Sequence, residues 1–178
     1  MKSADHRSRW KGGARELALG VLILFLGACA EGKKEYVERT VANIYNSALD
    51  QLNQGEYLNA AEAFGEVERQ HPYSVWATKA QLMGAYSYYR RNDYAEALVA
   101  LDRFIQLHPS NPDVPYAYYL RALSYYEQIT DVGRDQKITE LAFKALRDLV
   151  RRFPDSKYTL DAKLKVDLSR DHLAGKEM

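Results

Sequence analysis

Apolar residues recur at spacings of three and four along most of the chain, which is typical of helices that bury one face. The first such stretch carries Val41, Ile44, Tyr45, Ala48, Leu49 and Leu52. Gly55 follows it, and a glycine just past the last turn can adopt the left-handed conformation that ends a helix. The pattern therefore predicts a helix that ends shortly before residue 55.

This design recurs with a period of 37 residues, which is the distance from Pro72 to Pro109. The same offset relates Ala48 to Ala85, Tyr57 to Tyr94, Ala60 to Ala97, Phe64 to Leu101 and Val67 to Phe104. A period in this range is typical of stacked helical hairpins. We therefore predict an all-α superhelical solenoid of three helix pairs plus one further helix, in which Phe64 and Phe104 are core anchors.

The later helices are predicted at about residues 57–70, 75–91, 94–107, 115–129, 138–152 and 157–174. The resulting domain, 40–174, holds repeats at about 40–72, 75–109 and 113–154 and a partial one at 157–174. Pro154 follows Pro109 by 45 residues, so the third repeat has eight extra residues, which fall between its helices at about 130–137. Asp93 and Glu96 have the spacing of a capping box, which predicts a side-chain cap on the helix at 94–107.

The last predicted helix carries several apolar residues, namely Leu160, Leu164, Val166 and Leu168, although no further helix is predicted to pair with it. A terminal repeat normally presents a polar outer face. We expect either that the sequence is cut short or that this face docks on another protein.

Residues 1–28 differ from the rest, because they begin with basic residues and continue into the apolar run LALGVLILFL at 17–26. This order is typical of an export signal. The run holds about ten residues, whereas a membrane-spanning helix needs roughly 20. We expect it to be cleaved.

The sequence LGAC, which ends at Cys29, resembles a bacterial lipobox. Cys29 is the only cysteine and cannot form an intramolecular disulfide, so we expect it to carry acyl chains such as palmitate, and residues 29–39 to form an acylated tether. Two acyl chains hold a protein stably on a membrane. Ala30 stands where inner-membrane lipoproteins have aspartate, a resemblance that implies the periplasmic face of the outer membrane. The alternative is a secreted protein with a leftover cysteine.

Charge gives no reason to expect nucleic acid as a partner. Residues 1–28 hold five of the 25 basic and two of the 24 acidic residues, so the remainder has 20 basic and 22 acidic residues. A nearly neutral domain lacks the basic excess of a nucleic-acid binder.

Catalytic patterns are missing too, because the sequence contains no glycine-rich phosphate loop, CxxC, HExxH or GxSxG. These motifs are the usual signatures of nucleotide, metal and nucleophile chemistry. The sequence predicts no catalytic site, no metal site and no cofactor beyond the covalent lipid.

The repeats resemble tetratricopeptide repeats, whose order is small residue, Tyr, Ala, Phe and Pro. Repeat one supplies Ala48, Gly55, Tyr57, Ala60, Phe64 and Pro72, and repeat two supplies Ala85, Asn92, Tyr94, Ala97, Leu101 and Pro109. The longer string AYSYYRRNDYAEALVALDRFIQLHPSNPDVPYAYYLRALSYY, with RRFPDSKY later and a lipobox in front, resembles the BamD (ComL) family of outer-membrane assembly lipoproteins.

The family resemblance implies a non-catalytic lipoprotein subunit of the β-barrel assembly machinery. Its partners would be a BamA-type barrel subunit, other lipoproteins of the complex and unfolded outer-membrane proteins. Family members generally carry five repeats, and their C-terminal repeats provide much of the contact with BamA. Here the chain ends inside the fourth.

In tetratricopeptide arrays the first helix of each pair lines the concave face, where the family is thought to bind C-terminal signals of unfolded barrel proteins. Carried over by register, the peptide-binding groove would consist of Tyr45, Leu49, Leu52, Leu82, Tyr86, Tyr89, Arg90, Tyr116, Tyr119, Leu123 and Tyr126. Its tyrosines would receive apolar side chains, and Arg90 or Arg91 would receive a carboxylate. Tyr88 and Tyr125 take the family's inward position, and we expect them to pack.

Two alternatives stay open. One is a different periplasmic tetratricopeptide scaffold lipoprotein, with a role in cell-wall synthesis or as a chaperone. The other is an enzyme whose catalytic part follows residue 178.

Overall fold

The computed structural model describes residues 40–129 and 136–174, and all regular structure in these two ranges is helical. The helices are α1 (Val41–Asn53), α2 (Tyr57–Gln70), α3 (Val75–Arg90), α4 (Tyr94–Leu107), α5 (Val114–Tyr126), α6 (Gln136–Arg152) and α7 (Thr159–Ala174). The predicted signal peptide, lipidation site and tether lie outside the described residues, as does most of the predicted insertion at 130–137. Within the described ranges, the helices are too short or too polar to cross a membrane.

Each helix packs against the next one along the chain, and the first helices of successive pairs also touch, α1 with α3 and α3 with α5. Contact among first helices is what a superhelix with those helices on its inner side requires. The prediction of an all-α repeat solenoid with three pairs and one further helix is confirmed.

Alanine positions of the repeat mark the places where the helices cross. Ala48, Ala60, Ala85 and Ala97 are each 0% exposed, since a methyl side chain lets two helix backbones approach closely. Larger side chains fill the space beside them, and Phe64 and Phe104 are buried, as predicted.

The turns inside the first two pairs use left-handed residues at equivalent positions. Gly55 has φ +82° and Asn92 has φ +67°, a region that glycine and asparagine tolerate best. The predicted capping box is not formed, because the Asp93 side chain makes no hydrogen bond to the end of α4. Its carboxylate instead contacts the guanidinium of Arg91 at 2.9 Å.

Helix α3 begins with a side-chain cap, because the Ser74 hydroxyl accepts a hydrogen bond from the backbone N–H of Trp76 at 3.1 Å. This cap satisfies an N–H group that the helix itself leaves unpaired. A similar contact lies in the turn before α7, where the Ser156 hydroxyl accepts a hydrogen bond from the backbone N–H of Tyr158 at 3.4 Å.

Helix α5 has Pro115 in its first turn, as predicted, but ends at Tyr126, three residues before the predicted boundary. Helix α7 begins at Thr159, two residues later than predicted. Three of its leucines, Leu160, Leu164 and Leu168, are exposed, whereas Val166 is buried.

Candidate functional site

The eleven residues predicted to line the groove divide into a buried and an accessible set. Tyr45, Leu52, Leu82 and Leu123 are each 9% exposed or less. All four lie on the first helices of their pairs, but their side chains belong to the core and do not line an open groove. Leu49 is half-buried and packs against the core of the first pair.

Tyr45 is buried because aromatic side chains of α2 and α3 cover it. Its ring lies 5.4 Å from that of Phe64 in an edge-to-face arrangement and 4.8 Å from that of Trp76, measured between centroids. Burial raises the pKa of its hydroxyl. Tyr45 therefore packs the first pair instead of presenting a ring to a ligand.

The accessible set is carried by α3 and α5, and we call it the tyrosine surface: Tyr86, Tyr89, Arg90, Tyr116, Tyr119 and Tyr126. Its tyrosines are half-buried, with their inner edges against the core. Tyr86 and Tyr89 lie 6.4 Å apart in a stacked arrangement, and Tyr116 interacts electrostatically with both from the neighbouring helix. The first helices of pairs two and three thus present one continuous aromatic surface.

Arg90 lies at one end of this surface, held by two tyrosine hydroxyls. It donates hydrogen bonds to the hydroxyl oxygens of Tyr86 at 2.9 Å and Tyr57 at 2.8 Å. Its guanidinium also lies over both rings, 5.1 Å from the Tyr57 centroid and 5.7 Å from that of Tyr86. The hydrogen bond to Tyr86 is the main cause of the raised pKa of Arg90. Two uncharged hydroxyls orient the cation, and among the residues that the structure describes no carboxylate pairs with it.

The hydroxyls of Tyr89, Tyr116 and Tyr119 have raised pKa values and stay protonated well above neutral pH. Burial, with the carboxylate of Glu127 nearby, raises the pKa of Tyr89 to about 12. Burial also raises the pKa of Tyr116 and of Tyr119, the latter helped by a hydrogen bond to Asp161. These side chains therefore act as neutral hydrogen-bonding groups.

The opposite end of the surface carries an acid and a base from α7. Tyr119 donates to the Asp161 carboxylate at 2.7 Å, and Lys165 contacts the same carboxylate at 2.8 Å. Burial alone would raise the pKa of Asp161, but the hydrogen bonds from Lys165 and Tyr119 outweigh it and lower that pKa. Lys165 also lies 5.5 Å from the ring of Tyr126.

Sequence reasoning missed Tyr57, Tyr158, Asp161 and Lys165 as members of this environment. Tyr158 stacks on Tyr119 at 4.9 Å and lies 5.3 Å from Tyr116. Tyr57 was assigned only to a repeat position at the turn. The sequence signal that could have identified Tyr57 was its repeat position, which it shares with Tyr94. The ring of Tyr94 likewise lies close to a tyrosine of the surface, 6.0 Å from that of Tyr89.

The predicted packing tyrosines, Tyr88 and Tyr125, are partly buried against the core. Across the described ranges, no group of His, Cys, Asp or Glu side chains could hold a metal ion. What the tyrosine surface offers is aromatic contact area, neutral hydroxyls and the charge of Arg90. The role of this surface in binding a peptide stays a prediction.

Comparison with known proteins gives consistent matches. The profile of the YfiO family, described as outer membrane lipoprotein, matches residues 37–178. Among curated proteins, the outer membrane protein assembly factor BamD of Caulobacter vibrioides is 50% identical over 155 residues, which cover 85% of this chain and 51% of that protein. The factor of the same name from Rickettsia prowazekii is 45% identical over 162 residues, with 90% and 64% covered.

A more distant relative is BamD of Neisseria meningitidis serogroup B, which is 36% identical over 149 residues, with 78% of this chain and 56% of the relative covered. The chain spans between about half and two thirds of the length of these relatives.

Proposed function

Because the chain belongs to the YfiO family of outer membrane lipoproteins, together with relatives named outer membrane protein assembly factor BamD, we propose that it is a non-catalytic subunit of the β-barrel assembly machinery. In this proposal it binds unfolded barrel proteins on its inner face while they are folded and inserted into the outer membrane. Its other partners are a BamA-type barrel subunit and further lipoproteins of the complex.

The observation that carries the proposal is the tyrosine surface. Tyrosine is a frequent anchor at binding surfaces, because its ring offers a large contact area with few rotatable bonds. Here five tyrosines lie side by side on two adjacent first helices, and the core holds their inner edges. A preformed surface of this kind loses little conformational entropy when a ligand binds.

Arg90 supports a ligand that ends in a carboxylate. In the described part of the chain its polar contacts are two neutral hydroxyls, so its charge is free to pair with an incoming anion. Guanidinium groups bind carboxylates through paired hydrogen bonds. The surface therefore suits a C-terminal segment whose aromatic or apolar side chains lie on the tyrosines and whose terminal carboxylate reaches Arg90.

We also propose that acyl chains on Cys29 anchor the protein to the periplasmic face of the outer membrane, with residues 29–39 as the tether. The support is the lipobox-like LGAC sequence and the lipoprotein character of the family. Mass spectrometry of the protein from membranes should detect diacylglycerol and a further acyl chain on Cys29. A protein that starts elsewhere, or carries no lipid, would contradict this assignment.

The binding role is tested by fluorescence anisotropy with a labelled peptide from the C-terminus of an outer-membrane barrel protein that ends in phenylalanine. Tyr86→Ala with Tyr89→Ala should weaken binding at least about tenfold, or ~1.4 kcal/mol. Arg90→Gln should weaken it about two- to fivefold, as expected for an exposed ion pair, and should lose that effect when the peptide carboxylate is amidated.

The matched control is Tyr73→Ala with Val75→Ala, because both side chains are exposed, at 102% and 75%, away from the tyrosine surface. This pair should leave peptide binding unchanged. Equal weakening in the two double variants, or no effect of Tyr86→Ala with Tyr89→Ala in a folded protein, would refute the groove assignment.

Affinity purification from solubilised membranes should recover barrel-assembly subunits; recovery of cell-wall synthesis enzymes instead would favour a different periplasmic scaffold.

A further inference from the structure

Opposite charges stand at equivalent positions of two successive repeats beside the tyrosine surface. Arg90 is the last residue of α3, and Glu127, which comes directly after the last residue of α5, follows Arg90 by 37 residues. The same period relates the turn tyrosines Tyr57 and Tyr94. The second pair therefore presents a cation at the place where the third pair presents a carboxylate.

Both charged side chains are exposed although the inner face continues on either side of them. Helix α1 contacts α3, and α7 meets α5 where Tyr119 donates a hydrogen bond to the Asp161 carboxylate. Arg90 and Glu127 are thus accessible with the first helices of both adjacent repeats in place. A ligand on the tyrosine surface can reach the two charges together.

Tyr89 lies within electrostatic reach of both charges. Burial is the main cause that raises its pKa to about 12, the carboxylate of Glu127 adds to this increase, and the guanidinium of Arg90 reduces it. After burial, Glu127 also contributes to the raised pKa of Tyr94, whose ring lies 6.0 Å from that of Tyr89. Glu127 therefore lies close to the aromatic rings of the second pair.

Stabilisation of the fold does not account for the charge of Glu127. No basic side chain in residues 40–129 and 136–174 forms an ion pair with it. Negative charge is unfavourable at the C-terminal end of a helix, where unpaired backbone carbonyl groups already concentrate negative charge. Asp161 differs, because Lys165 compensates it at 2.8 Å. Glu127 thus offers its carboxylate to a cation from outside.

We propose that Glu127 selects peptide ligands that carry a basic side chain shortly before their terminal carboxylate. This inference rests on the proposed function, in which Arg90 binds that carboxylate and the tyrosines bind the apolar side chains. Helices in contact have axes about 8–10 Å apart, and an extended chain rises about 3.3 Å per residue, so the basic residue should lie about two to four residues before the terminal one. The bound segment would cross from α5 to α3, with its C-terminus at α3.

The test compares labelled peptides that end in phenylalanine and carry lysine, glutamine or glutamate three residues before it. In anisotropy titrations with the full chain, the lysine peptide should bind about two- to fivefold more tightly than the glutamine peptide, as expected for an exposed ion pair. The glutamate peptide should bind most weakly. Glu127→Gln should abolish the preference for lysine, and Glu127→Lys should reverse it. Added salt should reduce the preference of the unsubstituted chain.

The matched controls are Glu62→Gln and Glu62→Lys, because Glu62 is exposed on α2 outside the tyrosine surface. Neither substitution should change the preference for lysine. A second control moves the lysine to about seven residues before the terminal phenylalanine, roughly 23 Å along an extended chain. The preference should then disappear, since the lysine cannot reach Glu127 while the carboxylate is bound at Arg90.

A preference for lysine that Glu127→Gln leaves intact, or that Glu62→Gln reduces equally, would overturn the inference. So would a preference that persists for the distant lysine, because it would show a general effect of peptide charge. If binding still required Tyr86 and Tyr89 in those cases, the proposed function would stand without this selectivity. If none of the peptides bound to the folded chain, the proposed function and this inference would fail together.

Discussion

Replacement of Phe64 by alanine should strongly destabilise the protein. The side chain is 0% exposed and contacts the ring of Tyr45 edge to face. Helix α3 passes close to Phe64 at Gly84, where an added methyl group would lie 3.6 Å from the Phe64 Cβ. Neighbours held in this way by two other helices cannot fully collapse into the space that the lost ring would leave.

The magnitude follows from burial and cavity formation. Full burial of a phenylalanine stabilises a protein by about 1.5–3 kcal/mol through transfer of its apolar surface from water. An unfilled cavity adds to the loss, so Phe64→Ala should lower the free energy of unfolding by about 3–5 kcal/mol. The matched control is Leu58→Ala on the same helix, where the side chain is 38% exposed and the loss should stay below about 1 kcal/mol.

Urea unfolding followed by far-UV circular dichroism measures both changes. The unfolding midpoint should fall for Phe64→Ala with little change in the dependence on urea, because the same surface is exposed on unfolding. A loss below about 1 kcal/mol, or one equal to that of Leu58→Ala, would refute the register of α2 in the repeat. A much shallower urea dependence would instead indicate that the repeats unfold separately.

Two further predictions concern glycine conformation and tyrosine ionisation. Neither Gly55 nor Gly65 has an atom within 4 Å of an added methyl group, but only Gly55 has positive φ. Gly55→Ala should therefore lower the free energy of unfolding by about 1 kcal/mol. Gly65→Ala, inside α2, should raise it by about 0.5–1 kcal/mol, and urea unfolding measures both changes. If the two substitutions had the same sign, the assigned turn conformation would be incorrect. The pKa of Tyr89 is raised to about 12 from 10.0. The folded state therefore keeps the Tyr89 proton at pH values where the unfolded chain loses it. The contribution of this proton to stability is complete below pH 10 and should be lost as the pH rises towards 12. Tyr89→Phe should make this decline shallower in unfolding experiments from about pH 9 to pH 11, whereas an unchanged slope would contradict the raised pKa.

Helix positions were predictable because they depend on local pattern. The ends of α2 and α4 at Gln70 and Leu107 match the predicted boundaries, since a proline two residues later forbids continuation. The end of α5 was placed three residues too late, because no proline or glycine marks it. The cap expected from Asp93 does not form for a different reason, because the guanidinium of Arg91 contacts the Asp93 carboxylate.

Periodicity predicts which residues share one face of a first helix, but it does not predict how exposed each side chain is. Tyr45 and Tyr86 were assigned to the same groove by register, yet one is buried and the other half-buried. The difference is Trp76, whose ring covers Tyr45 from the next helix pair. Periodicity identifies which face a residue occupies, but it does not reveal which side chain from a distant segment will cover it.

The sequence by itself determined the helices, their pairing and the family, because spacing of apolar residues, turn residues and a 37-residue period are properties of neighbours along the chain. Only the tertiary structure decided which tyrosines stay accessible, and only it brought Asp161 to Tyr119 across 42 residues. Those contacts join residues far apart in the chain. Their geometry depends on how the helices stack, which no single segment encodes.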